Sequence, residues 1–358
     1  MNKNMKLVMA IGAVLAAGSA SAVEVAGDSL NVYGKLHVSV DGSYTDGLAP
    51  TGSNVSISSN STRLGFKGQH AMDNGMTVLW QIETETDPAA SGGTWASRNS
   101  FAGIKANFGT VRLGYFDTPF KDVAAKWDLF GDTIADRRAI LGAGALDGNK
   151  LNNRGKNGLE YKNSFGAIEL RVLYSTDGWD SNPGAVDNND NDMSSISVMY
   201  NEGPLSLGVA HEAWKNLDGT YGDVDGTRVS ASYMLNELKL GAIYESGNGD
   251  SSVPLSNQFG RNVIGVNAAY KMMADTTLKL QYLSAGDYDT VSDSGATMVS
   301  LGAAKKLDKQ TEVYLAYTTT SNDTNAKYQA VDGGHGDEVK TVLGGSPRAF
   351  SAGMTYKF

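Results

Sequence analysis

The connections of this chain alternate strictly between short turns and long polar loops. Seven tight turns and eight loops rich in Gly, Asn, Asp and Ser separate segments in which apolar and polar residues alternate. This order predicts sixteen antiparallel strands, with every short turn at one rim of the sheet and every long loop at the other. The turns lie at Ala71–Gly75, Asn107–Gly109, Asn163–Gly166, Asn201–Pro204, Leu235–Glu237, Met272–Asp275 and Leu307–Gln310, and the loops near residues 42–54, 88–97, 117–153, 177–192, 216–226, 247–260, 286–295 and 320–347.

The segments between these connections have a period of two. Leu36, Val38 and Val40, for example, are separated by His37 and Ser39, so the apolar side chains share one face of a strand. A membrane barrel requires an apolar outer face and a polar inner face, and this pattern supplies both. About sixteen strands also make a barrel wide enough to hold a water channel rather than a packed core. The sequence therefore predicts an all-β fold, a 16-stranded antiparallel transmembrane β-barrel.

The chain ends inside such an alternating segment, FSAGMTYKF, on an aromatic residue. An unpaired strand at this position would be a template for aggregation in a soluble domain, whereas a closed barrel has no free edge. A soluble β-sandwich with this ending is the less favoured alternative. The two alternating aromatic residues, Tyr356 and Phe358, resemble the terminal signal that the barrel assembly machinery of the bacterial outer membrane recognises. We therefore interpret them as an assembly signal.

The other end of the chain predicts export. Lys3 and Lys6 precede the apolar segment Leu7–Ala17, and Ala20–Ala22 is a small-residue cleavage site, so residues 1–22 form a predicted signal peptide. Residues 23–358 would then form one barrel domain. The formal net charge of −9 argues against a nucleic-acid partner, and the absence of cysteine excludes disulfides and thiol chemistry.

Six segments are distinctive when taken together: LNVYGK (Leu30–Lys35), STRLGFKG (Ser61–Gly68), SRNSFAG (Ser97–Gly103), FGTVRLGY (Phe108–Tyr115), RGKNGLEY (Arg154–Tyr161) and the terminal Tyr356–Phe358. In their order and spacing they resemble the general diffusion porins of Gram-negative bacteria. The resemblance implies a homotrimer in the outer membrane, surrounded by lipid and lipopolysaccharide. It also implies a water-filled channel for passive diffusion of ions and small hydrophilic solutes, with no cofactor and no chemical step.

The same resemblance implies a pore constriction. The longest connection, about 117–153, resembles the loop that folds into these porins and narrows them. Opposed charges across a narrow gap would orient polar solutes and tune selectivity. Alternatively, the same charges solvate a wet lumen and pair with each other, and the sequence leaves both interpretations open. The predicted constriction consists of Lys35, Arg63, Arg98 and Arg154 on the wall and Asp122, Asp128, Asp132 and Asp136 on the loop.

Strand alternation gives an independent expectation for the wall residues. A charge on the lipid face near the membrane centre would cost ~2–4 kcal/mol, so the charged phase of each strand should face the lumen. If Leu64 and Phe66 face lipid, Arg63 and Lys67 face the lumen. If Phe101 faces lipid, Arg98 does not. If Leu159 and Tyr161 face lipid, the even-numbered positions Arg154, Lys156 and Glu160 point inward.

A barrel of this kind could also serve functions other than passive diffusion. A solute-selective channel of the same fold would need an ordered aromatic or lysine track in the lumen. A barrel enzyme would need a nucleophile and a base at one rim, and an adhesin or receptor would act through its loops. The four histidines, His37, His70, His211 and His335, are scattered without metal-ligand spacing, and the outward phase of His211 favours an interfacial position. We therefore expect no enzyme activity and no metal site.

Overall fold

Sixteen antiparallel strands form one sheet whose first and last strands pair with each other in a computed structural model. The structure describes residues 30–47, 53–90, 92–146, 151–178, 191–331 and 333–358. The predicted signal peptide, residues 1–22, lies outside the described residues. The prediction of a 16-stranded antiparallel β-barrel is confirmed.

The strand boundaries follow the hydrophobic alternation. Within the described residues, the helical structure is limited to α1 (Pro119–Asp122), α2 (Pro254–Asn257) and the 3-10 turns Arg137–Ala139 and Leu217–Gly219. No helix in this part of the chain is long and apolar enough to cross a membrane. The strands are β1 (Leu30–Tyr44), β2 in two segments (β2a, Ser53–Ser59, and β2b, Arg63–Ala71), β3 (Thr77–Glu85), β4 (Ser100–Ala106), β5 (Gly109–Asp117), β6 (Arg154–Phe165), β7 (Ile168–Ser175), β8 (Met193–Glu202), β9 (Leu205–Trp214), β10 (Val224–Leu235), β11 (Leu238–Gly249), β12 (Asn262–Lys271), β13 (Thr276–Ala285), β14 (Ala296–Lys306), β15 (Thr311–Asn322) and β16 (Arg348–Lys357).

The two classes of connection lie where the sequence places them. The seven predicted short turns and the eight long loops alternate along the chain, and each of them joins one strand to the next. Gly166 and Gly203 have φ values of 60° and 53° in two of the tightest turns, a conformation that suits glycine. The rims therefore differ, with short turns at one and long loops at the other.

The wall has an apolar outer face and a largely polar inner face. In β10, Val229 and Tyr233 are exposed, whereas Arg228 and Ser230, the two neighbours of Val229, are buried inside the barrel. The same alternation runs along β16, where Phe350 and Met354 are exposed and Ser351 is buried. The predicted alternation is confirmed for these strands. Its physical reason is that a surface facing lipid excludes charged side chains.

The orientation expected for Phe101 is wrong. In the β4–β5 pair, Ile104 and Leu113 are 40% and 61% exposed and lie on the outer face. Phe101 lies on the inner face, with its ring centroid 6.1 Å from that of the buried Phe116 and 4.5 Å from the Arg112 guanidinium. The lumen contains apolar clusters of its own, so an aromatic residue does not by itself mark the lipid side.

Strand alternation does not determine the orientation of the Arg154 side chain. The β5–β6 register shifts between Gly114 and Phe116, and Asn157 has a φ of 48°. Such a bulge interrupts the alternation. The predicted orientation therefore holds for the exposed Leu159 and the buried Glu160 but cannot be extended to Arg154. Arg98 precedes β4 and has no strand phase either.

A kink divides β2 where residues 60–62 leave the ladder. Ser61 has a φ of 50°, and the flanking Asn60 and Thr62 are fully buried. The backbone of His37 on β1 compensates for the interruption: its N–H donates to Thr62 Oγ1 (3.0 Å), and its carbonyl accepts from Asn60 N (2.8 Å). The barrel thus stays closed across the kink without leaving the His37 backbone groups unpaired.

The carboxyl-terminal strand closes the barrel. β16 pairs with β1 along the whole seam, from Arg348 opposite Tyr44 to Lys357 opposite Lys35. Phe358 extends this ladder through two backbone hydrogen bonds to Gly34 (2.9 and 3.1 Å). A Cβ atom on Gly34 would lie 2.4 Å from Phe358 Cζ, so the ring covers the glycine directly. Tyr356 stacks on Phe358 with ring centroids 5.9 Å apart.

We expect Phe358→Asp to reduce strongly the amount of folded barrel in the outer membrane, because it places a charge on the closing seam. Phe165→Asp is the matched control, since Phe165 is also an exposed aromatic at the short-turn rim but does not lie at the seam. The measurement is the heat-modifiable band of folded protein in outer-membrane fractions. Normal amounts for Phe358→Asp, or an equal loss for both variants, would contradict this assignment.

Candidate functional site

The long connection between β5 and β6 lies inside the barrel. The lumenal loop, defined as residues 118–153 and described except for 147–150, is held by side chains from the inner wall. Polar side chains of three strands donate to its backbone carbonyls, so its path is fixed at several points. These bonds are Arg228 NH1 to Phe120 O (2.9 Å), Asn267 Nδ2 to Trp127 O (2.7 Å) and Gln281 Nε2 to Ala135 O (3.0 Å).

The lumenal loop also forms an apolar core with the wall. Trp127, Ile140 and Leu141 are completely buried and belong to one cluster with inward-facing wall residues. The wall members of this cluster include Ile243, Val263, Leu283 and Met298. Burial of each such side chain contributes about 1.5–3 kcal/mol, so the lumenal loop is anchored by packing as well as by hydrogen bonds.

A buried ionic cluster fixes the lumenal loop at its second half. Arg228 and Glu245 are fully buried and form an ion pair of 2.5 Å, and Arg261 lies 3.6 Å from the same carboxylate. Glu245 Oε1 also accepts from the Gly142 N–H at 2.8 Å, and Arg261 NH2 donates to Ile140 O at 2.8 Å. Removing one partner would leave a buried charge unpaired, which makes this cluster a strong positional constraint.

A second ionic cluster holds the start of the lumenal loop. Glu160 is fully buried between Arg112 (2.5 Å) and Arg171 (2.6 Å). Arg171 also contacts Asp122, the predicted constriction residue on α1. Asp122 therefore faces the β7 wall, on which none of the predicted basic residues lies.

Asp132 is the loop residue that reaches the predicted basic wall. Its carboxylate lies 2.6 Å from Lys35 Nζ and 2.8 Å from Arg138 NH2. Burial alone would raise the pKa of Asp132, but Lys35, Arg138 and Arg63 together lower it well below its ordinary value. Asp132 is thus ionised and joins the lumenal loop to β1.

The other two aspartates pair within the lumenal loop. Asp128 contacts Arg137, and Asp136 lies 2.6 Å from Arg138 while capping the 3-10 turn through the Arg138 N–H. Asp136 also accepts from the backbone N–H of Asp132 at 2.7 Å. These carboxylates shape the loop, so the four predicted acids do not form a single row opposite the basic wall.

The predicted basic residues form a discontinuous patch. Arg98 is buried and paired with Glu83 (2.7 Å), and Arg154 donates to Asn99 Oδ1 (2.9 Å) and lies 3.3 Å from Asp117. Arg63 has no ion pair with a carboxylate of the described residues but lies within electrostatic range of Asp132. Lys35 and Arg63 are therefore brought together with Asp132, whereas Arg98 and Arg154 lie farther along with partners of their own.

A segment of the last long connection also enters the lumen. We define the docked segment as residues 333–341, which contact the kink of β2. Gly336 N donates to Asn60 Oδ1 (3.0 Å), and Ser61 Oγ donates to Gly334 O (2.8 Å). His335 Nε2 lies 3.1 Å from Asp41 Oδ2 on the inner face of β1.

The histidines occupy separate environments. His37 contacts Tyr314 Oη in the lumen (2.8 Å), His335 belongs to the docked segment, and His70 is exposed near the short-turn rim. His211 is exposed on the outer face beside Thr227 Oγ1 (3.0 Å), as its strand phase predicts. Within the described ranges, no group of three or more His, Asp or Glu residues is arranged to hold a metal ion.

Sequence reasoning missed the residues that hold the lumenal loop. Arg228, Glu245 and Arg171 each carry a charge on the inward phase of a spanning strand, and that signal was available because such charges must be paired when buried. Their partners could not be inferred, since the contacts join residues about 50 to 120 positions apart. The docked segment carried no distinguishing sequence signal.

A family model matches most of this chain, and solved structures match its barrel fold. The family model of the Gram-negative porins matches residues 8–325. The chain belongs to the Gram-negative porin family. It is therefore a protein of the outer membrane, and the resemblance inferred from its sequence is confirmed.

Relatives of this porin share shorter segments with it. It is 34% identical over 83 residues to the major outer membrane protein P.IB of Neisseria gonorrhoeae. The matched segment covers 23% of this chain and 24% of that protein. A P.IB protein of Neisseria sicca is 39% identical over 61 residues, or 17% of each chain. The matched segments thus span about a quarter or less of these relatives.

Solved structures match the fold of this porin over almost its whole length. The anion-selective porin from Comamonas acidovorans superposes with a TM-score of 0.76 at 22% identity, over 93% of this chain and all of that one. The trimer form of OmpT from Vibrio cholerae gives a TM-score of 0.67 at 20% identity, over 93% and 100% of the two chains. At these identities the likeness concerns the barrel fold.

We expect Gly336→Ala to release the docked segment of this porin, because the added Cβ would lie 2.4 Å from Ser59 O. Gly42→Ala is the control, since a Cβ there meets nothing within 4 Å. The variant should show higher single-channel conductance and faster cleavage of residues 333–341 by protease added outside the cell. If it matches the control in both measurements, the segment does not occupy the conducting path.

Proposed function

We propose that this porin is a water-filled channel for passive diffusion of ions and small hydrophilic solutes, and that it favours anions. The observation that carries the proposal is the charge arrangement at the lumenal loop. Lys35 and Arg63 face the lumen beside Asp132, and that carboxylate is shared between Lys35 and Arg138. The local balance at this point is therefore positive, although the whole chain is acidic.

The surroundings of the patch support an anion preference. Arg63 and Arg98 carry guanidinium groups, which remain charged at any usable pH. Protein of low dielectric constant surrounds the passage, so the field of these charges is screened less than at an open surface. One of the solved structures with the same fold is an anion-selective porin. We do not propose a chemical step, since family and fold both favour a channel over an enzyme.

The lumenal loop is proposed to set the narrowest point of the channel. It is held on the inner wall by strands from β7 to β14 and reaches β1 through Asp132. The remaining free space then lies between the lumenal loop and the wall that carries Arg63 and Arg98. In this arrangement the constriction residues are Lys35, Arg63, Arg98, Arg154 and Asp132, while Asp122, Asp128 and Asp136 position the loop.

The assembly of the porin is proposed to be a homotrimer embedded in outer-membrane lipid and lipopolysaccharide. A structure with the same fold is described as a trimer form. On this chain, Val55 and Ile57 of β2a are 73% and 68% exposed, an apolar surface that lipid or a neighbouring barrel would cover. Tyr356 and Phe358 are proposed to be recognised by the assembly machinery during insertion.

The selectivity test replaces Arg63, Arg98 and Arg154 together with Gln. We expect the reversal potential across a potassium chloride gradient to shift toward cations, most at low salt, because the Debye length falls to about 3 Å at 1 M. The control replaces Lys162, Lys215 and Lys305, three exposed lysines that each pair with a carboxylate away from the lumenal loop.

The same planar-bilayer recordings test the channel itself. Wild-type protein should give stepwise conductance increases, and their absence would refute the proposed function. If the steps occur but the arginine variant gives the same reversal potential as wild type and the lysine control, the channel remains and these arginines do not line the constriction. A wild-type reversal potential of the cation-selective sign would refute the anion preference.

The constriction test removes Lys126–Ala145 from the lumenal loop. We expect higher conductance and faster uptake of larger sugars into liposomes, since the excised residues occupy the lumen. Removing the exposed Ser251 and Ser252 from an external loop serves as the control deletion. A folded excision variant with unchanged conductance would show that the lumenal loop does not limit passage.

A further inference from the structure

A cavity of about 350 Å³ lies between the lumenal loop and the short-turn rim. Residues 129–133 of the loop form its roof, and strands β14, β15 and β16 contribute its walls. We call it the rim cavity. Short turns of outer-membrane barrels face the periplasm, so the rim cavity opens toward that side.

Basic side chains outnumber acidic ones around the rim cavity. Lys35 and Arg63 lie at its inner end, and Lys279 lies in its wall with Nζ 5.8 Å from the Phe130 ring centroid. Three acids accompany six bases in the lining. The bases are Lys35, Arg63, Lys279, Lys306, Lys309 and Lys357, and the acids are Asp132, Asp308 and Glu312.

Two of the three acids are already engaged. Asp132 is shared by Lys35 and Arg138, and Asp308 Oδ1 accepts from the backbone N–H groups of Gln310 and Thr311 in its own turn (2.7 and 2.6 Å). Glu312 lies within electrostatic range of Lys279. Lys279, Lys306 and Lys357 form no ion pair with any carboxylate in the part of the chain that the structure describes.

We propose that the rim cavity is a binding site for small anions that carry two or more carboxylate or phosphate groups. This inference rests on the proposed channel function, because it assigns the site to the periplasmic half of the same pore. A monovalent ion gains attraction mainly from one ammonium group at a time. A polyvalent anion spans several of them at once, so its charges are matched together.

The position of the site gives it a defined effect on the channel. The lumenal loop separates the rim cavity from the external mouth of the barrel. The inner end of the rim cavity reaches Lys35 and Arg63. A polyvalent anion bound there occupies the path that smaller anions follow. Bound from the periplasmic side, it should therefore block the current of chloride.

The test measures block of single-channel chloride current by citrate and by pyrophosphate, added to one chamber at a time. Because the chain has no cysteine, Ser252→Cys in an exposed external loop can be labelled by an impermeant maleimide to report the orientation of each channel. We expect block from the short-turn side at concentrations roughly tenfold lower than from the long-loop side.

Paired lysine variants identify the site. Lys279→Gln with Lys306→Gln should raise the blocking concentration from the short-turn side about tenfold. The control, Lys271→Gln with Lys305→Gln, removes the same charge from exposed lysines at the same rim that do not line the cavity, and should leave block unchanged. Heat-modifiable mobility of both variants checks that the barrel is folded.

The outcomes separate this inference from the proposed function. Absence of any conductance in wild type refutes the channel, whereas normal conductance without sided block refutes only the rim cavity as a site. Equal weakening by the control pair would also overturn it, since block would then reflect the general charge of the rim. Block by one of the two anions alone supports the site and identifies carboxylate or phosphate as its ligand group.

Discussion

Closure of the sheet between β1 and β16 is the constraint on which the rest of the structure depends. Hydrocarbon offers no water to an unpaired N–H or carbonyl group, so a spanning sheet must pair its two edges. Here the seam extends to the last residue, where Phe358 bonds to Gly34 and covers it. Once the edges are paired, the lipid outside fixes the strand phase, and charged side chains in the middle of a regular strand, such as Arg228 and Glu245, are directed into the lumen.

The interior of a closed barrel of sixteen strands is too wide for the wall side chains to fill. The lumenal loop fills part of this space with its own apolar residues, so that Trp127 packs against the wall like a core residue. Three of its backbone carbonyl groups accept hydrogen bonds from Arg228, Asn267 and Gln281. Wall charges under the lumenal loop, such as Arg228, therefore hold it in place, whereas Arg63 forms no ion pair with a carboxylate of the described residues.

The sequence predicts the parts of this structure that depend on local patterns. Strand number, turn positions and the lumenal face of β10 or β16 follow from alternation and from turn residues such as Gly166 and Gly203. Phe101 was misplaced because an aromatic residue suits the lumenal core as well as lipid. Arg154 escaped the phase argument because a bulge intervenes. Loop contacts such as Asp132 with Lys35 depend on the path of the whole loop, which alternation does not encode.

The overall charge and the local charge of this porin differ in sign, and the ion pairs explain why. The chain has 39 acidic and 30 basic residues, yet acids such as Glu160 and Glu245 lie fully buried against arginines and contribute little field to the passage. Buried ion pairs cancel at a distance, so only charges beside open space direct a diffusing ion. Net charge is therefore a poor guide to selectivity here. Under the proposed anion preference, the excess of bases over acids at Lys35, Arg63 and the rim cavity sets which ions the pore favours.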